Sequence, residues 1–427
     1  MFQIVYYKNI NGYKGVIVLP RVFIHFTFLF FTLTGMSGMW MRFFFINQNT
    51  LVPYTHVLHG HSHLAMLGWA FIGAFVVFLS LFWENINQKK QAIAILISLC
   101  IISILMFLAF LYQGYDVISI IFSAIHIFIE YWAAVFMYKL LKKDTDVPKS
   151  AKLFINSALL TLVLSSIGPY ALGYTSANGL KDTYFFDMAM YFYLHFQYNG
   201  WLTLFLIGVF IIILHSKKIK IEGSLLNLGF WFYFISLFPG YFLSILWIDF
   251  GVLSQILATI GSIGQWLGIL FILITFRKIW GELVQHYSKL TIHCIWISLV
   301  LLLIKSTTEL GLISPTLANL VYDTRSIVIG YLHLTLLGFV SIFIITQYFM
   351  MNIINTTDKI ASYSILVFTV GFFLNEVLLF CQGLFEWLGL GVIPIYSEGL
   401  LVASGLLGIG VMSLWISFGR QRTSIEN

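Results

Sequence analysis

Twelve apolar stretches, each long enough to cross a hydrocarbon layer, dictate what this 427-residue chain can fold into. They run over about 22–46, 57–82, 92–113, 117–141, 152–174, 187–214, 226–248, 252–276, 291–309, 326–350, 360–383 and 396–418. Hydrocarbon offers no partner to a backbone N–H or C=O, so stretches of this length satisfy themselves as helices. The residues are 60% hydrophobic and 9% charged, with a mean hydropathy of +0.93, a balance foreign to water-soluble domains. The expected fold is all-α: a polytopic membrane protein, one integral domain over 1–427 with the lipid bilayer as its first partner. The loops are short, and no Walker A or Rossmann glycine pattern stands in a usable context.

Basic residues set the expected orientation. Arg42, Lys181, Lys305 and Arg325 fall on one side of the twelve spans, and the remaining nineteen of the 23 Lys and Arg, from Lys8 to Arg422, on the other. The positive-inside rule makes the crowded side cytoplasmic and puts both termini there, in a bacterial-type inner (plasma) membrane. The net charge of +6 is this bias rather than a nucleic-acid surface. The first twenty residues carry Lys8 and Lys14 without a long apolar core and cleavage site, and read as a cytoplasmic lead-in. Cys100, Cys294 and Cys381 are isolated, with no CxxCH or CxxC pair.

One phrase recurs three times: HLAMLGW at His63–Trp69, HFQYNGW at His195–Trp201 and HLTLLGF at His333–Phe339. The copies start 132 and 138 residues apart, on the second, sixth and tenth stretches. This divides the chain into three four-helix repeats, about 22–141, 152–276 and 291–418. A histidine in an apolar helix is costly without a partner and is a functional candidate by default. Each of the three lies ~10–13 Å below the outer boundary at ~1.5 Å per residue, with His126 at a similar depth. A haem or metal held between helices requires such a plane. Gly68 and Gly338, five residues after their histidines, leave a helix face without a side chain, open to a porphyrin or to a neighbouring helix.

Other polar residues suit supporting roles. His126 and Glu130 are one turn apart and pair within the fourth stretch. Asn375 and Glu376 extend a polar path on the eleventh. Arg42 and Arg325 mark outer helix ends, as interfacial anchors or as partners for haem propionates. His215, His286 and His293 lie toward the basic side as bystanders, His25 has no assigned role, and His56 is a loop residue or an entry ligand.

The phrase resembles the haem-ligand helices of the haem–copper oxidase superfamily, in particular cbb-type oxidases and NO reductases. Their tenth helix carries His-x-His before the same Gly-aromatic ending. The resemblance implies twelve helices in three arcs and makes His333 an axial ligand of a low-spin, bis-histidine haem b. The other ligand comes from LHGHSHLAMLGW, where family spacing favours His61 and internal symmetry favours His63. These two sit about 200° apart on a helix and cannot face one haem together. The NnrS family, linked to nitric oxide response, has a similar pattern. His59, His61, His63, His126, His195 and His333 are the candidate ligands for metal, including one additional copper or iron.

Departures from the family pattern are as informative. Tyr331 stands where the high-spin haem ligand belongs and Asn199 where NO reductases have Glu. NLGFWFYFISLFPGYFLSILWID supplies no histidine. The implied function is electron transfer or NO-related chemistry at a reduced or altered site, with quinol or a cytochrome as donor. His195 and Tyr331 are expected to line a vestigial second pocket. A secondary transporter and a membrane metal-binding or assembly factor are the alternatives.

Overall fold

The computed structural model describes residues 5–9, 12–16, 19–48, 51–221 and 223–421, and of residues 5–16 the backbone alone. Among them, twelve helices are long and apolar enough to cross a membrane, one for each expected stretch. Numbered in order, spans 1–12 are Arg21–Phe44, Tyr54–Phe82, Lys89–Gln113, Val117–Lys143, Lys149–Ala177, Tyr184–Ser216, Ser224–Ser244, Val252–Lys278, Lys289–Gly311, Arg325–Met350, Lys359–Trp387 and Tyr396–Arg420. The protein is an all-α polytopic membrane protein. Two short strands, Val5–Asn9 and Gly12–Val16, pair antiparallel ahead of span 1. Arg422 lies outside the described residues.

Local chemistry sets the span ends. Pro20, Pro53 and Pro148 stand immediately before spans 1, 2 and 5, where a missing N–H costs nothing. Asp116 and Ser119 form a reciprocal capping box at span 4. Gly114 closes span 3 at φ +68°, and a Cβ there would meet the His56 ring at 2.6 Å.

The chain forms two compact units. One comprises residues 1–144, 347–375 and 395–427, the other 145–346 and 376–394. The third expected repeat is thus divided between them. In the first unit, span 1 packs on spans 2 and 12, and Trp69 stacks on Phe31 with centroids 4.0 Å apart and planes 2° apart. In the second unit, spans 7 and 8 meet through small residues. A Cβ on Gly261 would lie 2.2 Å from the Gly240 nitrogen, so the two backbones approach closely only because residue 261 has no side chain.

The three phrase-bearing spans are the most enclosed of the twelve. Their most apolar windows are 83%, 89% and 61% buried in spans 2, 6 and 10, and none of the other nine exceeds 56%. One basic residue is not where its charge suggested. Lys305 is an interior residue of span 9 with 0% exposure, so it is no outer-loop charge and carries no weight in the orientation argument.

Candidate functional site

His63, His195 and His333 each stand where their span changes from α to π winding. The π-helical segments are Leu64–Phe71, His195–Leu202 and Leu334–Val340. Wider winding frees carbonyls, and the chain supplies donors for them. Thr203, eight residues after His195, donates to the Tyr198 carbonyl at 2.6 Å. Ser341, eight after His333, donates to the Leu336 carbonyl at 2.7 Å. Tyr233 adds a hydroxyl to the Asn199 carbonyl at 2.8 Å. The histidines fall nine, eleven and eight residues after the starts of their spans, Tyr54, Tyr184 and Arg325. That spread of three residues is ~4.5 Å of helix rise.

In the first unit, the candidate histidines of span 2 diverge. His61 turns to span 1: its Nδ1 lies 3.0 Å from the Thr34 carbonyl and 3.1 Å from Ser37 Oγ. A carbonyl only accepts, so Nδ1 carries the proton and the lone pair is on Nε2. Gly38 makes room for the ring, since a Cβ there would stand 3.2 Å from His61 Cε1. His63 turns instead to Phe110, 4.3 Å between centroids, with its Nδ1 donating to the His59 carbonyl at 2.9 Å. Its lone pair is likewise on Nε2. His59 packs near Tyr115 and His56 Nδ1 donates to the Leu111 carbonyl at 3.2 Å, which makes His56 a first-turn helix residue. The opposed faces read from the sequence for His61 and His63 are therefore real.

His126 and Glu130 meet as read, Nδ1 to Oε1 3.0 Å, and both are buried. Their contact is not aligned as a hydrogen bond, and His126 Nε2 has no hydrogen-bond partner among the described residues. Arg42 occupies the last turn of span 1 and Arg325 the first position of span 10. The space beside Gly68 is filled by Leu64 and Phe30, contacts that serve helix packing, and Gly338 is buried within its π segment. His25 accepts from the Trp415 indole at 2.9 Å, a structural role, while His286 and His293 are exposed and bond to their own helices.

The second unit joins His195 and Tyr331 at one cavity of about 350 Å³, as the sequence suggested. It lies where span 6 and span 10 begin and spans 7 and 9 end. His195 Nε2 donates to the Leu237 carbonyl at 2.9 Å. Its Nδ1 accepts from the Asn199 amide at 3.3 Å, with Ser244 Oγ at 3.5 Å. Asn199 Oδ1 accepts from the Lys305 ammonium, Lys305 pairs with Glu309 at 2.9 Å, and the Tyr331 hydroxyl donates to the same Glu309 oxygen. The chain His195–Asn199–Lys305–Glu309–Tyr331, buried except at the half-buried Tyr331, is thus complete from end to end. Lys305 and Glu309 are functional candidates that sequence reasoning passed over. The signal was available: opposite charges at i, i+4 inside an apolar run.

The network also limits what His195 can hold. With one nitrogen donating and the other accepting, it presents no vacant lone pair, so the site as arranged does not fit a metal on His195. Among the described residues no three His, Cys, Asp or Glu side chains gather as a metal-holding group. Beside the cavity, Tyr322 sits on the short helix Pro315–Asp323, and burial followed by Asp187 and Asp323 holds its phenol above the usual range.

No protein-family model matches the chain, and no curated protein matches it.

Proposed function

We propose that this is a haem b-binding redox protein of the membrane, resembling the catalytic subunit of haem–copper oxidases and NO reductases but with an altered second site. In this reading His333 and one of His61 or His63 are the axial ligands. The observation that carries it is the coincidence of all three histidine phrases with π-helical segments in the three most buried spans. π winding is rare in proteins and concentrates at functional sites, so helix packing alone is a poor account of three occurrences.

The span 2 residues fit such a group. Hydrogen bonds to Thr34 or His59 fix the tautomer that leaves Nε2 available, as an iron-ligating imidazole needs. Two imidazoles would make the iron low-spin and coordinatively full, suited to one-electron transfer. Thr34 and Ser37 orient His61, and Gly38 admits its ring. With the basic loops cytoplasmic, the setting is a bacterial-type inner membrane, and a quinol or a cytochrome is the electron donor. The buried Lys305–Glu309 pair favours a second reading, a secondary transporter, since intramembrane charge pairs also mark substrate and ion paths.

A visible spectrum separates the two. Purified, dithionite-reduced protein is expected to show the sharp alpha band of low-spin haem b. A colourless protein made with ample haem supply refutes the first reading.

A further inference from the structure

Two residues that line the cavity of the second unit each carry a buried polar atom with no hydrogen-bond partner among the described residues. Gln265 is 3% exposed, and its Oε1 lacks a hydrogen-bond donor. Trp247 Nε1–H, also buried, lacks an acceptor. Both residues line the cavity. Buried polar groups are seldom left unpaired, because an unmade hydrogen bond leaves their desolvation uncompensated. One orphan donor and one orphan acceptor call for an occupant that can accept and donate.

The walls narrow the occupant further. Tyr198, Tyr331, Phe380 and Trp387 contribute aromatic surface, and Trp247 is held stacked on Tyr322 with centroids 3.8 Å apart and planes 13° apart. A cavity of about 350 Å³ is at the small end of ligand pockets, which span roughly 300–1,000 Å³. An aromatic box can also hold an organic cation. Here, however, the carboxylate lining it, Glu309, is already neutralised by Lys305 and engaged by Tyr331. The acidic groups Asp182, Asp187 and Asp323 line a separate cavity that shares the Trp247–Tyr322 wall. A neutral ring carrying oxygen therefore fits better than a cation.

We propose that this cavity binds the head group of a hydroquinone. One ring hydroxyl donates to Gln265 Oε1, and a ring oxygen accepts from Trp247 Nε1–H. The proposal rests on the redox reading by naming its electron donor and where that donor docks. An oxidised quinone keeps the acceptor oxygens and loses the hydroxyl donors, so it forfeits the Gln265 bond alone.

The test is calorimetric titration of the purified full chain with 2-methyl-1,4-naphthoquinone and, under argon with dithionite, with its quinol, each against a detergent blank. The native chain should bind the quinol about fivefold more tightly than the quinone, the ratio that one net hydrogen bond supplies. Gln265→Leu should abolish that preference and leave quinone affinity unchanged. Trp247→Phe, which keeps a ring, should weaken both forms about fivefold. The native-chain ratio decides even if a variant fails to fold. No saturable binding, equal affinity for the two forms, or variants that bind like the native chain overturns the proposal. Tetramethylammonium binding that displaces the quinol reassigns the cavity to a cation. The alpha band of the same samples keeps the two readings apart: haem without quinol binding sinks this site alone, and quinol binding by colourless protein sinks the haem reading alone.

Discussion

Lys305 Nζ lies 2.9 Å from Glu309 Oε1, one helical turn along span 9, and both side chains are buried. Each is the condition for the other's charge. Removing one partner strands a buried ion, which costs ~3–5 kcal/mol, whereas removing both can cost far less. Asn199 gives the ammonium a second acceptor and Tyr331 donates to the carboxylate, and the Lys305 ammonium also stands 5.8 Å from the Tyr198 ring.

Lys305→Met and Glu309→Leu are accordingly expected to lower the melting temperature of detergent-solubilised protein more as single changes than in combination. The quantity to record is the coupling from the four-member mutant cycle. Additive losses would mean that the two charges do not depend on each other, and would remove the buried network from the account of this site.

His61 and His63 are separable because they lean on different spans. Gly38→Ala adds a methyl 3.2 Å from His61 Cε1, far enough to shift that ring by a few tenths of an ångström, and it leaves His63 against Phe110. If His61 ligates haem, Gly38→Ala should shift or broaden the alpha band and His61→Ala should abolish it, while His63→Ala has a minor effect. The reverse pattern assigns His63. In either case His333→Ala should remove the low-spin signal and the exposed His286→Ala should not. Equal spectra for those two variants would refute the bis-histidine assignment.

How far these features could be read from the sequence depends on the physics behind each. All twelve spans were legible because a lipid environment leaves a long apolar run no alternative to helix. The divergence of His61 from His63, and the meeting of His126 with Glu130, follow from 100° per residue and needed no tertiary information. The π segments were not legible: over seven or eight residues, a change of winding barely alters the apolar pattern. The hydroxyls of Thr203 and Ser341, both eight residues past the phrase histidine, were their one trace. Lys305 was misread because a charge near the end of an apolar run looks like a loop charge. Only the tertiary fold brings it against Asn199 of span 6. The orphan atoms of Gln265 and Trp247 depend on what does not approach them, which no sequence pattern records.

A reductase of the resembled family must hold its substrate between a high-spin haem and a second metal. Here Tyr331 stands where the resemblance would put a haem ligand and spends its hydroxyl on Glu309, Asn199 is an amide bound to Lys305, and both nitrogens of His195 are engaged. Span 7 has no histidine to add. Reduced protein should therefore consume O₂ slowly, and NO far more slowly than intact NO reductases do. Electrode traces of both gases check this, with His195→Ala alongside. Fast consumption abolished by that substitution would mean that the network rearranges to free an imidazole lone pair, contrary to the hydrogen bonds described. Slow consumption that His195→Ala leaves unchanged, beside an intact low-spin spectrum, would favour electron transfer or NO response over gas reduction, because the haem would then be present without a partner metal able to work with it.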